Sequence, residues 1–158
     1  PHIDARTIEG FYAAPDAITA AQREATALSD ELIAELKSCH TLLIAAPIYN
    51  FSLPSALKAW IDQVVRIGHT FSFDGQQFGG LVTQPRAVLA LAYGAGGYQG
   101  PLMTMDHLKP YLTLLLGFLG IQSVEVLSAE GTTTDPAAAQ VALEAAKAKI
   151  PAMIEAGA

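Results

Sequence analysis

The sequence predicts an α/β protein: a parallel sheet with helices on both faces. Three observations carry that reading. Short, continuously apolar runs alternate with stretches of helical periodicity. The intervening segments are long enough for right-handed crossovers between parallel strands. Of the 158 residues, 51% are hydrophobic and 15% charged, a composition that can bury a core and argues against disorder.

Taken in order, Pro1-His2-Ile3-Asp4 resembles at most the tail of a strand. Ala20 to Lys37 reads as a helix, because Ala21, Ala25, Leu28, Leu32, Ile33 and Leu36 recur at helical spacing between charged residues. Thr41 to Ala46 is apolar after its first residue and ends at Pro47, as a buried parallel strand should. Pro54 opens a second helix whose apolar face is Leu57, Trp60, Ile61, Val64 and Val65, with Gly68 as its stop. Thr70 to Val82 reads as a loop or small hairpin turning at Asp74-Gly75. Ala87 to Ala92 is the second buried strand and runs into Tyr93-Gly94-Ala95-Gly96-Gly97. Met105 to Leu119 reads as a helix bent near Pro110. Ser123 to Ser128 is the third strand. Asp135-Pro136 then caps a closing helix over Ala137 to Ile154. All of this is expected to form one domain over residues 1–158.

The net charge of −6 and the absence of any Lys/Arg block exclude nucleic acid as an expected partner. They leave room for a phosphate-bearing cofactor held by backbone N–H groups. The lone Cys39 excludes an internal disulfide and a cysteine-rich zinc site. It reads as a small core residue in a reducing, cytoplasmic setting. No His/Cys cluster has metal-ligand spacing, and there is no G-x-S-x-G elbow. The most apolar stretch, Tyr111 to Ile121, is about half the length a membrane span needs, so no membrane association is expected.

Ligands of open parallel sheets bind beyond the carboxyl ends of the strands. Here that rule selects Pro47 to Phe51, Tyr93 to Tyr98 and Ala129 to Thr133. Tyr49 and Phe51 offer flat apolar surface, and Asn50 an amide. Gly94, Gly96 and Gly97 allow close approach of backbone to a ligand. Glu130 places a carboxylate at the mouth of the third strand. Each segment also has an ordinary reading: a strand-to-helix turn, a glycine turn without G-x-G-x-x-G spacing, and a solvated or cap-like carboxylate. His69 and His107 read as surface or packing residues.

Together these segments resemble the FMN-dependent NADH azoreductase and quinone reductase family, which is flavodoxin-like. The stretch APIYNFSLPSALKAWIDQVVRIGHTFSF is similar to the family's A-P-[MI]-Y-N-F-x-[IL]-P-x-x-L-K-x-[WY]-[IF]-D motif. GLVTQPRAVLALAYG, PYLTLLLGFLGI and AEG resemble the segments that follow. The resemblance runs from about Glu31 to the C-terminus. It implies FMN as cofactor, with Pro47, Ile48, Tyr49, Asn50 and Phe51 along the ring and Tyr93, Gly94, Gly96 and Gly97 near its pyrimidine side. It also implies NADH as donor, and two-electron reduction of quinones or azo compounds by a ping-pong scheme in which the flavin carries the chemistry. Phe51, Phe73 and Phe118 would wall the substrate pocket, with Phe118 contributed by the second subunit of a homodimer.

Two departures accompany the resemblance. Where the family usually has Ser-Arg-Gly-Gly, this chain has Ala92-Tyr93-Gly94-Ala95-Gly96-Gly97. Family members also begin with a central strand and a Ser-rich phosphate loop, and nothing before Ala20 supplies them. Without that first strand the strand at Leu42 would expose a hydrophobic edge, so the expectation is a flavodoxin-like domain incomplete at its N-terminus, its N-terminal β-α unit missing from this sequence, or a gap filled by another chain. A single-electron carrier, or a remnant that has lost FMN, are the competing readings.

Overall fold

The computed structural model describes residues 1–14 and 16–155. In chain order these form α1 (Ala5–Phe11), α2 (Ala20–Ser38), β1 (Thr41–Pro47), α3 (Ser55–Val64), β2 (Phe71–Phe73), β3 (Phe78–Gly80), β4 (Arg86–Ala92), α4 (Lys109–Leu119), β5 (Val124–Ala129), α5 (Pro136–Lys147) and α6 (Ile150–Glu155). They divide into two compact units. The first holds Pro1–His40, Ser55–Pro85 and Gly117–Ile121; the second holds Thr41–Pro54, Arg86–Leu116 and the chain from Gln122 onward.

The second unit is the expected parallel sheet, ordered β1-β4-β5. Leu89 is fully buried in the central strand, paired with Ile44 on one side and Val126 on the other. β1 pairs with β4 alone among the described residues, and Leu43 on it is 65% exposed. α5 packs on β5. Its start is the expected Asp135 cap, whose carboxylate accepts the Ala138 N–H at 2.8 Å.

In the first unit α1 packs on α2, and α2 on α3. Thr19 and Gln22 form a capping box that starts α2, and Ile33 and Leu36 bury its apolar face. β2 and β3 form the expected hairpin, turned at residues 74–77, where the Asp74 carboxylate accepts the N–H groups of Gln76 and Gln77, both at 2.8 Å. Gly80 ends β3 against residues 119 and 120; a Cβ there would lie 2.3 Å from the Gly120 nitrogen, so no larger residue fits.

Three expectations need correction. Residues 5–11 are helical, begun by a capping box between Asp4 and Thr7, so Pro1 to Asp4 lead into a helix rather than out of a strand. Such a short helix shows little periodicity; its cap is its main signal. The stretch from Met105 to Leu119 is not one helix: a 3₁₀ turn, Met103–Met105, precedes a break at residues 106–108, and α4 starts at Lys109. Pro110 therefore sits in the first turn of α4, where its missing N–H costs nothing, and does not bend a helix. The closing helix is also two, separated at residues 148 and 149, with Pro151 again in a first turn.

Candidate functional site

The loop after β1 is a tight turn. Tyr49 and Ser52 exchange two backbone hydrogen bonds, N–H of Tyr49 to O of Ser52 at 2.8 Å and the reverse at 2.9 Å. Between them Asn50 and Phe51 both have positive φ, 46° and 68°. Two successive left-handed residues make a type I′-like turn, for which asparagine is well suited and phenylalanine is not. Ile48 N–H donates to the Ala92 carbonyl at 2.8 Å, so the turn leaves the sheet directly beside the exit of β4. Tyr49 and Phe51 are 61% and 46% exposed, leaving both rings open to a ligand.

The loop after β4 is held from β5. Glu130 accepts the N–H groups of Gly97 and Tyr98 on one carboxylate oxygen, at 2.7 and 2.9 Å. Thr132 and Thr133 N–H groups reach the carbonyls of Tyr93 and Gly94 at 3.1 Å each. Tyr93 is buried, stacks on Tyr98 with ring centres 4.8 Å apart, and donates its hydroxyl to Asp106 at 3.0 Å. Burial, reinforced by the Asp106 hydrogen bond and the negative charges of Asp106 and Glu130, raises the Tyr93 hydroxyl well above the ordinary tyrosine range. Tyr93, Tyr98, Asp106 and Glu130 line a cleft of about 400 Å³ with Met103 and Lys109.

The sequence-derived residues 47–51 and 93–97 thus meet at the carboxyl ends of adjacent strands, both in the sheet unit. Among the described residues, the N–H groups of Asn50, Phe51, Gly94, Ala95 and Gly96 reach no acceptor. Unbonded backbone N–H groups at strand exits are suited to a ligand that carries hydrogen-bond acceptors. Phe73 and Phe118 belong to the other unit, where they contact Phe78 at 4.7 and 5.6 Å; Phe71 completes this ring cluster. His69 lies in the same unit, its pKa lowered chiefly by burial and then by Arg66. Sequence reasoning missed Asp106, which accepts from the N–H groups of Leu108 and Lys109 at 2.9 and 3.1 Å and so begins α4. It also missed the backbone N–H of His107, which donates to the Phe51 carbonyl at 2.9 Å.

The flavodoxin-like fold family matches residues 1–154. The chain is 56% identical over 128 residues to the FMN-dependent NADH:quinone oxidoreductase of Xanthobacter autotrophicus, covering 80% of this chain and 62% of that protein. It thus spans less than two thirds of that relative. The enzyme of the same name from Shewanella frigidimarina is 40% identical over 153 residues, 97% of this chain and 76% of that one. An FMN-dependent NADH-azoreductase from Bacillus anthracis, solved in complex with FMN, superposes with a TM-score of 0.76 at 25% identity, covering 93% of this chain and 74% of that chain. An azoreductase from Bacillus anthracis strain Sterne shares the fold, with a TM-score of 0.83 at 24% identity over 92% of this chain and 71% of that one.

Proposed function

Because the chain belongs to the flavodoxin-like fold family and, within it, to the FMN-dependent NADH:quinone oxidoreductases, we propose that it takes part in two-electron transfer from NADH to quinones and azo compounds. The observation that carries this is the pair of loops after β1 and β4: five backbone N–H groups without a partner among the described residues, together with two exposed aromatic rings. They fit the ring of FMN, which is flat, apolar on its faces and rich in acceptors along its edges. Bound there, FMN supplies the hydride chemistry. The chain's own residues position and shield. Pro47, Ile48 and Tyr49 would lie along the ring, the N–H groups of Asn50 and Phe51 could donate to its edge, and Gly94 and Gly96 would let backbone approach it. Tyr93 and Gly97 fix the second loop.

Phe51, 46% exposed, would also face the quinone. Phe73 and Phe118 are assigned to the same substrate by family resemblance, Phe118 acting from a second copy in a homodimer. The two substrates bind in turn, in ping-pong order. Among the described residues no helix is long and apolar enough to cross a membrane, and the proposed setting is the cytoplasm.

The visible spectrum of the full-length protein after adding FMN, with NADH oxidation in the presence of menadione, tests this reading. Bound-flavin absorbance and FMN-dependent turnover are expected. A colourless, inactive protein would overturn the reading, and bound flavin without turnover would favour an electron carrier. Phe51→Ala is expected to lower quinone turnover more than stability, because the ring is nearly half exposed.

A further inference from the structure

We propose that Tyr93 and Asp106 are positioning residues that hold the turn at Asn50 and Phe51 in its left-handed conformation. The inference rests on the assignment of that turn to FMN. A bulky residue at φ 68° persists only where its surroundings impose it. The Tyr49–Ser52 pair closes the turn but does not reach the two residues inside it. Among the described residues, one hydrogen bond does so from outside: the backbone N–H of His107 on the Phe51 carbonyl, at 2.9 Å.

His107 lies in the break between the 3₁₀ turn and α4, and Asp106 sets that break. One of its carboxylate oxygens accepts the N–H groups of Leu108 and Lys109. The other accepts the Tyr93 hydroxyl. Both groups are buried, Asp106 at 8% and Tyr93 at 2% exposure, so water offers little replacement. Tyr93 is itself fixed to the sheet: its N–H donates to Ala129 at 2.9 Å, and its carbonyl accepts the N–H and hydroxyl of Thr132, both at 3.1 Å. A rigid path therefore runs from the exit of β4 through the Tyr93 hydroxyl and Asp106 to the His107 amide, and so to Phe51. Its first member opens the loop in which this chain departs from the Ser-Arg-Gly-Gly pattern. The raised Tyr93 pKa keeps the hydroxyl a donor at neutral pH.

The test compares full-length wild type, Tyr93→Phe and Asp106→Ser with Leu89→Val, a core variant remote from this path. Asp106→Ser retains a side-chain acceptor for the start of α4 but is too short to reach Tyr93. Amide hydrogen exchange is measured without FMN, and FMN affinity by quenching of flavin fluorescence. Exchange of the bonded N–H groups of Tyr49, Ser52 and His107 is expected to quicken about tenfold in both path variants while β4 keeps its protection. FMN affinity is expected to fall about tenfold in both, and to hold in Leu89→Val. Unchanged exchange at Tyr49, Ser52 and His107 in Tyr93→Phe overturns the proposal, as does acceleration spread evenly over the sheet. Should wild type bind no FMN, the functional assignment fails, while the exchange data still decide whether the path holds the turn.

Discussion

The loop after β1 takes its two positive φ angles at Asn50 and Phe51, whereas the loop after β4 takes its own at Gly97, at 99°. Both leave neighbouring parallel strands, and both present backbone N–H groups that have no acceptor among the described residues, at the same end of the sheet. In the first, side chains with an exposed chemical task occupy a conformation that costs them energy, and a hydrogen bond from elsewhere, the His107 N–H on the Phe51 carbonyl, reaches it. In the second, glycine removes that cost and a single carboxylate, Glu130, fixes the path. The difference follows from what each loop must show a ligand: rings in one case, bare backbone in the other. Their stabilities should therefore respond to substitution in opposite ways.

The largest effect is expected at Glu130, where Glu130→Ala removes the acceptor from two N–H groups at once. Hydrogen bonds to a charged group contribute about 1.5–3 kcal/mol each, less where water can replace the partner, so a loss of about 2–3 kcal/mol is expected. Urea unfolding measures it. A loss under about 0.5 kcal/mol would mean that the second loop holds its path without the carboxylate, and the contrast with the first loop would fail.

Next in size come two substitutions of opposite sign. Gly97→Ala meets no steric obstacle, its nearest neighbour being 3.7 Å from the new Cβ, so its cost is backbone strain alone, about 1–2 kcal/mol. Phe51→Gly relieves the strain of the first loop and removes a half-exposed ring. Stability should hold or rise by up to about 1 kcal/mol, while FMN-dependent quinone turnover falls. If both variants lose stability equally, Phe51 is not strained and the two loops do not differ.

Much of this arrangement was legible in the sequence, for identifiable reasons. The run Ala87 to Ala92 is apolar without interruption because β4 lies between β1 and β5 and is buried or half-buried throughout. Strand exits are where parallel sheets bind ligands, so residues 47–51 and 93–97 stood out. Three features were hidden. Glu130 was noted, but its bonds to Gly97 and Tyr98 arise only because β4 and β5 are neighbours, which the order of elements along the chain leaves open. Asp106 was absorbed into a continuous apolar helix, although Asp106 followed by Lys109-Pro110 carries the same kind of cap-and-proline signal that located α5 at Asp135-Pro136. The left-handed Phe51 had no signal at all, since phenylalanine has no preference for that region.

The smallest effect concerns pH and distinguishes the anchors of the second loop. In the unfolded chain Tyr93 ionises near pH 10, as tyrosines do; in the folded protein burial and the Asp106 bond hold its proton on to higher pH. Between those two values the unfolded state binds fewer protons than the native state, so stability falls as pH rises above about 10. Below that pH, both states keep the proton and the contribution is complete. Tyr93→Phe has no such proton to lose, while every other titrating group is common to both proteins. The stability difference between wild type and Tyr93→Phe should therefore stay constant from pH 7 to 9 and narrow by roughly 1 kcal/mol by pH 11. A difference that stays constant through pH 11 would place the hydroxyl in contact with water and leave Glu130 as the anchor of the second loop.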